Sequence, residues 1–135
     1  MKTMWAGIAV GLLGAAAPVW AHHSFFAEFD PKQPVTVTGV VTKVEWMNPH
    51  TMFHVDVKDE KGEVASWVLE TGTPSQLVRR GWTQDSLKRG DRITVVGYRA
   101  RNGSNHAATR MVKMEDGRTL LTGRTDGMEY TEPEK

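Results

Sequence analysis

Val35-Thr36-Val37-Thr38-Gly39-Val40-Val41-Thr42-Lys43-Val44-Glu45-Trp46 is the stretch that decides the fold. Valines and threonines alternate, which is the period of an extended strand with one buried face. The alternation slips phase. Val35 and Val37 keep one parity, Val40, Val44 and Trp46 keep the other, and Gly39 stands between them. A glycine at a parity change predicts a bulge or sharp bend at that position. A long strand bent in this way can serve two sides of a small barrel.

Working outward, Met47-Asn48-Pro49 ends this strand. Residues 51–58 predict a second strand, with Phe53, Val55 and Val57 on the core face and Met52, His54 and Asp56 on the other. Starting that strand one residue earlier adds His50 to the second face. Asp59-Glu60-Lys61-Gly62 reads as a hairpin turn, followed by a third strand over 64–70. Thr73-Pro74-Ser75-Gln76 announces a short helix over 74–80, closed by Gly81. Residues 92–98 and 106–114 supply a fourth and a fifth strand, and 119–122 a short sixth. Three strands, one capped helix and two or three further strands predict a mainly β protein. The specific expectation is an OB-fold-like Greek-key barrel of five or six strands, with the helix between strands 3 and 4. A β-sandwich leaves that helix unexplained.

The chain of 135 residues has room for one such domain, here residues 35–122. Ahead of it, residues 1–21 read as a cleaved secretory signal. Lys2 gives the charged start, Trp5 to Ala17 the apolar run, and Val19-Trp20-Ala21 the cleavage site. The apolar run is shorter than the roughly 20 residues of a spanning helix. The expectation is therefore a periplasmic or secreted protein with no transmembrane helix after cleavage. Residues 22–34 form a segment whose Phe25, Phe26 and Phe29 dock it on the barrel, since phenylalanines clustered this closely are costly to expose. Residues 123–135 are expected to form a flexible tail.

Composition narrows the function classes. Removing Lys2 with the signal leaves 16 basic and 16 acidic residues. That balance argues against nucleic acid as partner, despite the local basic bias of Arg79, Arg80, Lys88, Arg89, Arg92, Arg99 and Arg101. The absence of cysteine excludes disulfides, thiolate metal sites and thiol catalysis. No nucleophile motif is present, and Glu28, Asp30 and Glu45 are not a recognisable acid/base pair, so a binding role is favoured over an enzymatic one.

The blocks His22-His23-Ser24-Phe25 with Glu28-Phe29-Asp30, Gly39 to Trp46 with Asn48-Pro49-His50, and Arg80-Gly81-Trp82 with Ser86-Leu87 give the chain a resemblance. It resembles a family of small exported bacterial proteins known only as a domain of unknown function, over nearly all of the chain after the signal. The resemblance implies export, the His-His start and the Asn-Pro-His turn. The family pattern has no histidine at the position of His54 or His106. It implies no activity.

Two functional readings follow from the residues. Cleavage after Ala21 would leave His22 with a free amine, and an amine and imidazole on one residue chelate a metal ion. Imidazoles suit copper, zinc, nickel and iron, and copper(II) generally binds most tightly among the divalent ions. Copper is thus the expected cofactor, with His22, His23, His50 and His54 as candidate ligands. His50 is the favoured partner of His22, because Pro49 restricts the turn that carries it. Met52 shares the His54 face and adds a soft donor for copper(I). Ser24 occupies the third position, where the common amino-terminal copper motif has histidine. The other reading is an accessory module without metal, taking a small molecule, haem, a peptide or a protein partner on a face that includes Trp46, Asn48 and Met52.

Overall fold

The computed structural model describes residues 25–123. The proposed signal, His22, His23 and the tail from residue 124 onward lie outside the described residues. The elements are α1 (Phe25–Glu28), β1 (Phe29–Glu45), β2 (Met52–Lys58), β3 (Val64–Glu70), α2 (Pro74–Arg79), β4 (Arg92–Ala100), β5 (His106–Met114) and β6 (Thr119–Leu121). The protein is mainly β, with one six-stranded sheet in the order β3-β2-β1-β4-β5-β6. Neighbours in that order pair antiparallel. In addition, β3 pairs with β5 in parallel, so the two ends of the run β3-β2-β1-β4-β5 meet.

β1 is longer than the sequence pattern predicts. It begins at Phe29 instead of Val35, because Phe29 faces Ala100 and Pro34 faces Tyr98 across an irregularity in the ladder with β4. A two-proline stretch, with fewer N–H donors to offer, hid that extension. The position of the phase slip also differs. Val37, Gly39 and Val41 are all buried, whereas Val40 is exposed, so the first parity runs straight through Gly39. The register shifts between Val41 and Lys43, where Thr42 is the extra residue of a bulge against β2. Val44 then packs on the core from the opposite parity. Gly39 has another role. A Cβ there would strike the backbone carbonyl of Asp56 and come within 2.7 Å of Val55 Cγ1. Glycine lets β1 cross from β4, which pairs with residues 34–40, to β2, which pairs with 40–45.

α2 forms where Thr73 starts it. The Gln76 N–H donates to Thr73 Oγ1 at 3.2 Å, and the Thr73 N–H donates to Gln76 Oε1 at 2.9 Å. These reciprocal bonds satisfy donors that the first turn leaves free. Gly81, at φ 88°, takes the left-handed conformation that ends the helix. α1 is a second short helix, not anticipated from the sequence.

The main core joins Val41, Phe53, Val55, Leu69, Leu77, Trp82, Ile93, Val95 and Val112 inside the sheet. A second, smaller cluster lies on the opposite face of β4 and β5, where Phe29, Tyr98, Ala100 and Ala108 are buried and Phe25 packs against them. Phe25 stands 5.5 Å from Phe29 and 6.2 Å from Tyr98, ring to ring. The loop after β4 holds the same segment through Arg101. Its Nε donates to Phe26 O at 2.7 Å and its backbone N–H to Glu28 O at 2.9 Å. Its Nη1 also lies 3.7 Å from Asp30 Oδ2. Among the described residues no helix is long and apolar enough to cross a membrane.

Candidate functional site

The β2–β3 ladder brings the site together. Met52 faces Glu70 at its end, and the chain beyond stays tied. The Thr51 N–H donates to Gly72 O at 3.0 Å, and the Thr71 N–H and hydroxyl donate to Thr51 O at 2.9 and 2.8 Å. His50, just before Thr51 and just after the cis Asn48–Pro49 peptide, is therefore held beside Glu70. On the other side of Glu70, the parallel pairing with β5 sets Ala108 against Glu70 and His106 against Val68. His106 is two residues from Ala108, so both point to one face of the strand.

The result is a carboxylate between two imidazoles. His50 Nδ1 lies 2.7 Å from Glu70 Oε1. His106 Nε2 hydrogen-bonds Glu70 Oε2 at 3.2 Å. Among the described residues Glu70 is the sole charged residue in the buried set, at 6% exposure. Both imidazoles remain about a third exposed, each at 31% of its side chain. Phe29 meets the His106 ring edge to face, with 5.1 Å between centroids. The centre therefore adjoins the aromatic cluster on which the N-terminal segment is seated.

His54 belongs to a separate pair. Its Nε2 lies 2.8 Å from Glu45 Oε2, and Lys43 Nζ lies 2.6 Å from Glu45 Oε1. The Lys43 ammonium, and after it the His54 ring, hold the Glu45 carboxyl below the usual carboxylate range. Met52 links the two pairs, because it faces Glu45 across one ladder and Glu70 across the other. Trp46 is not on this face. It packs against the main core and lines an apolar crevice with Val44, Phe53, Trp82 and Leu87. Asn48 is exposed in the turn before His50.

Glu70 and His106 are the site residues that sequence reasoning missed. Glu70 and His106 looked like ordinary strand ends. Only the pairing of β3 with β5, across 36 residues of chain, sets them side by side. A groove of about 600 Å³ lies elsewhere and contains no histidine. Its walls mix Lys88, Arg92 and Arg118 with Asp91 and Asp116, and both of these carboxylates already accept hydrogen bonds, from the Lys88 N–H and from Arg118.

Residues 9–110 match a family of unknown function, DUF6152. The chain belongs to that family. The DUF6152 match takes in all five histidines, together with Glu70 and the docked phenylalanines. No curated protein matches the chain.

Proposed function

We propose that this is an exported small binding protein that holds a transition metal ion, copper in the first place, beside Glu70. The sheet is read as an OB-type five-stranded Greek-key barrel with β6 appended. The support is the pairing sequence β1-β2-β3-β5-β4, whose last member returns to β1, together with a capped helix between β3 and β4.

The observation that carries the metal reading is the His50–Glu70–His106 cluster, lying against the segment that follows His22 and His23. Two imidazoles and a carboxylate suit copper, zinc, nickel or iron, and copper(II) generally binds most tightly. Among the described residues no three such groups are arranged to hold an ion by themselves. Further donors are required, and the terminal histidines are within chain reach. Phe25 is three residues from His22, a length that spans at most about 10 Å. Phe25 packs on Phe29, and Phe29 packs on His106. Cleavage after Ala21 would add the amine and ring of His22, with His23 next to it.

The second reading, an accessory module without metal, draws on the crevice beside Trp46. Thr51 Oγ1 is buried there with no hydrogen-bond partner among the described residues. The crevice is too narrow to hold even a water molecule, whereas small-molecule sites run to roughly 300–1,000 Å³. That shortfall favours the metal.

Two purified proteins test the proposal, one starting at His22 and one with an extra Met ahead of it. The first is expected to bind copper(II) with the amine among its ligands, giving a visible absorption band that shifts and an affinity that falls in the extended form. Identical spectra and affinities would remove the amine from the site. Failure of both to bind would leave the accessory module, to be pursued by a ligand screen read through tryptophan fluorescence.

A further inference from the structure

The groove of about 600 Å³ stands apart from the histidines, and two turns wall it. The first precedes β4 and is tied to β1. The Gly90 N–H donates to Val41 O at 2.8 Å, and the Val41 N–H donates to Asp91 O at 2.9 Å. Within the turn, the Lys88 N–H donates to Asp91 Oδ2 at 2.8 Å. The second turn joins β5 to β6. It is closed by bonds from the Met114 N–H to Arg118 O at 2.8 Å and from the Gly117 N–H to Met114 O at 3.1 Å. Both walls are thus fixed before a ligand arrives, which lowers the ordering cost of binding. Not all of their charged groups are engaged. Arg118 donates its backbone N–H and its Nε to the Asp116 carboxylate, at 3.0 and 2.7 Å. By contrast, Lys88 Nζ, the Arg92 guanidinium and the carboxylates of Asp85 and Glu115 have no hydrogen-bond or ion-pair partner among the described residues.

We propose that this groove binds a short peptide by its two termini, the ammonium against Asp85 and Glu115 and the carboxylate against Lys88 and Arg92. The free charges select the ligand. A purely anionic ligand would be set against two free carboxylates, and a purely cationic one against two free cations. Like charges brought together in a contact are costly, and a ligand with one charge of each sign avoids both conflicts. Met114 is the one apolar side chain in the lining, so an apolar ligand would find little surface to cover it. Length follows from the spread of the charged groups. Asp85 and Lys88 follow α2, Arg92 begins β4 and Glu115 follows β5. Arg92, Met114 and Glu115 also line an adjoining hollow of about 190 Å³ that reaches Thr38 and Thr94. A free amino acid carries both charges on one carbon, whereas a tripeptide holds them up to about 10 Å apart. The groove volume lies within the roughly 300–1,000 Å³ of small-molecule sites. No residue of the His50–Glu70–His106 cluster lines this groove, so the proposal does not rest on the metal reading.

The test is an NMR titration of the protein starting at His22 with triglycine, whose only charges are its termini, up to about 10 mM. N-acetyl-triglycine, triglycine amide, the doubly blocked peptide and free glycine are titrated beside it. Triglycine is expected to shift the backbone amides of residues 85–92 and 114–118, and to bind ~2–5-fold more tightly than either singly blocked form. Lys88→Gln combined with Arg92→Gln is expected to remove the preference for triglycine over its amide. Asp85→Asn combined with Glu115→Gln is expected to remove the preference over the N-acetyl form. All four side chains are exposed and unpartnered among the described residues, so both variants should keep the fold, as their backbone spectra will show. Equal binding of all four peptide forms overturns the proposal, as do shifts that fall elsewhere or no shifts at the highest concentration. Folded variants that retain both preferences overturn it too. Glycine binding as tightly as triglycine overturns the assignment to a peptide.

Discussion

His50 and His54 lie four residues apart, and each faces a carboxylate, yet they serve different pairs. His50 is beside the buried Glu70, and His54 is beside Glu45, which Lys43 also engages. A carboxylate already neutralised by an ammonium has less to gain from a metal ion. The two histidines should therefore respond differently to removal. His50→Ala is expected to lower copper affinity by at least ~10-fold, since even outer-shell partners of a metal site are worth that much. His54→Ala should leave the affinity unchanged, as measured by calorimetric titration. Equal losses in the two variants would move the ion to the ground between the pairs, where Met52 sits.

At the scale of elements, β1 does the organising. Its early residues pair with β4 and its late ones with β2, and Gly39 sits just before the exchange. Any side chain there meets the Asp56 backbone, which cannot rotate out of the way as a flexible side chain could. Gly39→Ala should thus destabilise the fold by about 1–3 kcal/mol, the usual cost of overpacking. Urea unfolding should show this as a lower midpoint with an unchanged slope. An unchanged midpoint would mean that β1 and β2 separate at that point without penalty.

For the molecule as a whole, the docking of the N-terminal segment links the fold to the proposed site. Arg101 grips Phe26, Glu28 and Asp30, while Phe25 and Phe29 enter the cluster on the opposite face of β4 and β5. The backbone N–H of Lys32, aided by Gln33 and the Arg101 charge, holds the Asp30 carboxyl below its ordinary 3.8. A carboxyl lowered in the folded state adds stability that is present above its ordinary value and lost as the pH falls through the folded one. Acid should therefore loosen this segment ahead of the core. The Arg101 amide, which donates to Glu28 O, is expected to lose hydrogen-exchange protection as the pH falls below the ordinary carboxylate value, while the Val95 amide in β4 keeps its own. Parallel loss at both sites would show that Asp30 contributes nothing local.

The sequence by itself determined much of the element order. Alternation reports which face of a strand is buried, and the Thr73-Gln76 capping box and Gly81 are local devices that act within one turn. These signals need no distant partner, so they can be read along the chain. The bulge at Thr42 and the extension of β1 back to Phe29 needed partners on β2 and β4, and the sequence pattern misplaced the first and lost the second. Tertiary structure alone decided the centre. Glu70 and His106 carry no pattern of their own, and they meet because β3 lies parallel to β5, a pairing between segments far apart in the chain. Burial follows from that pairing, and burial makes Glu70 a carboxylate that must be shared between two rings instead of a solvated strand end.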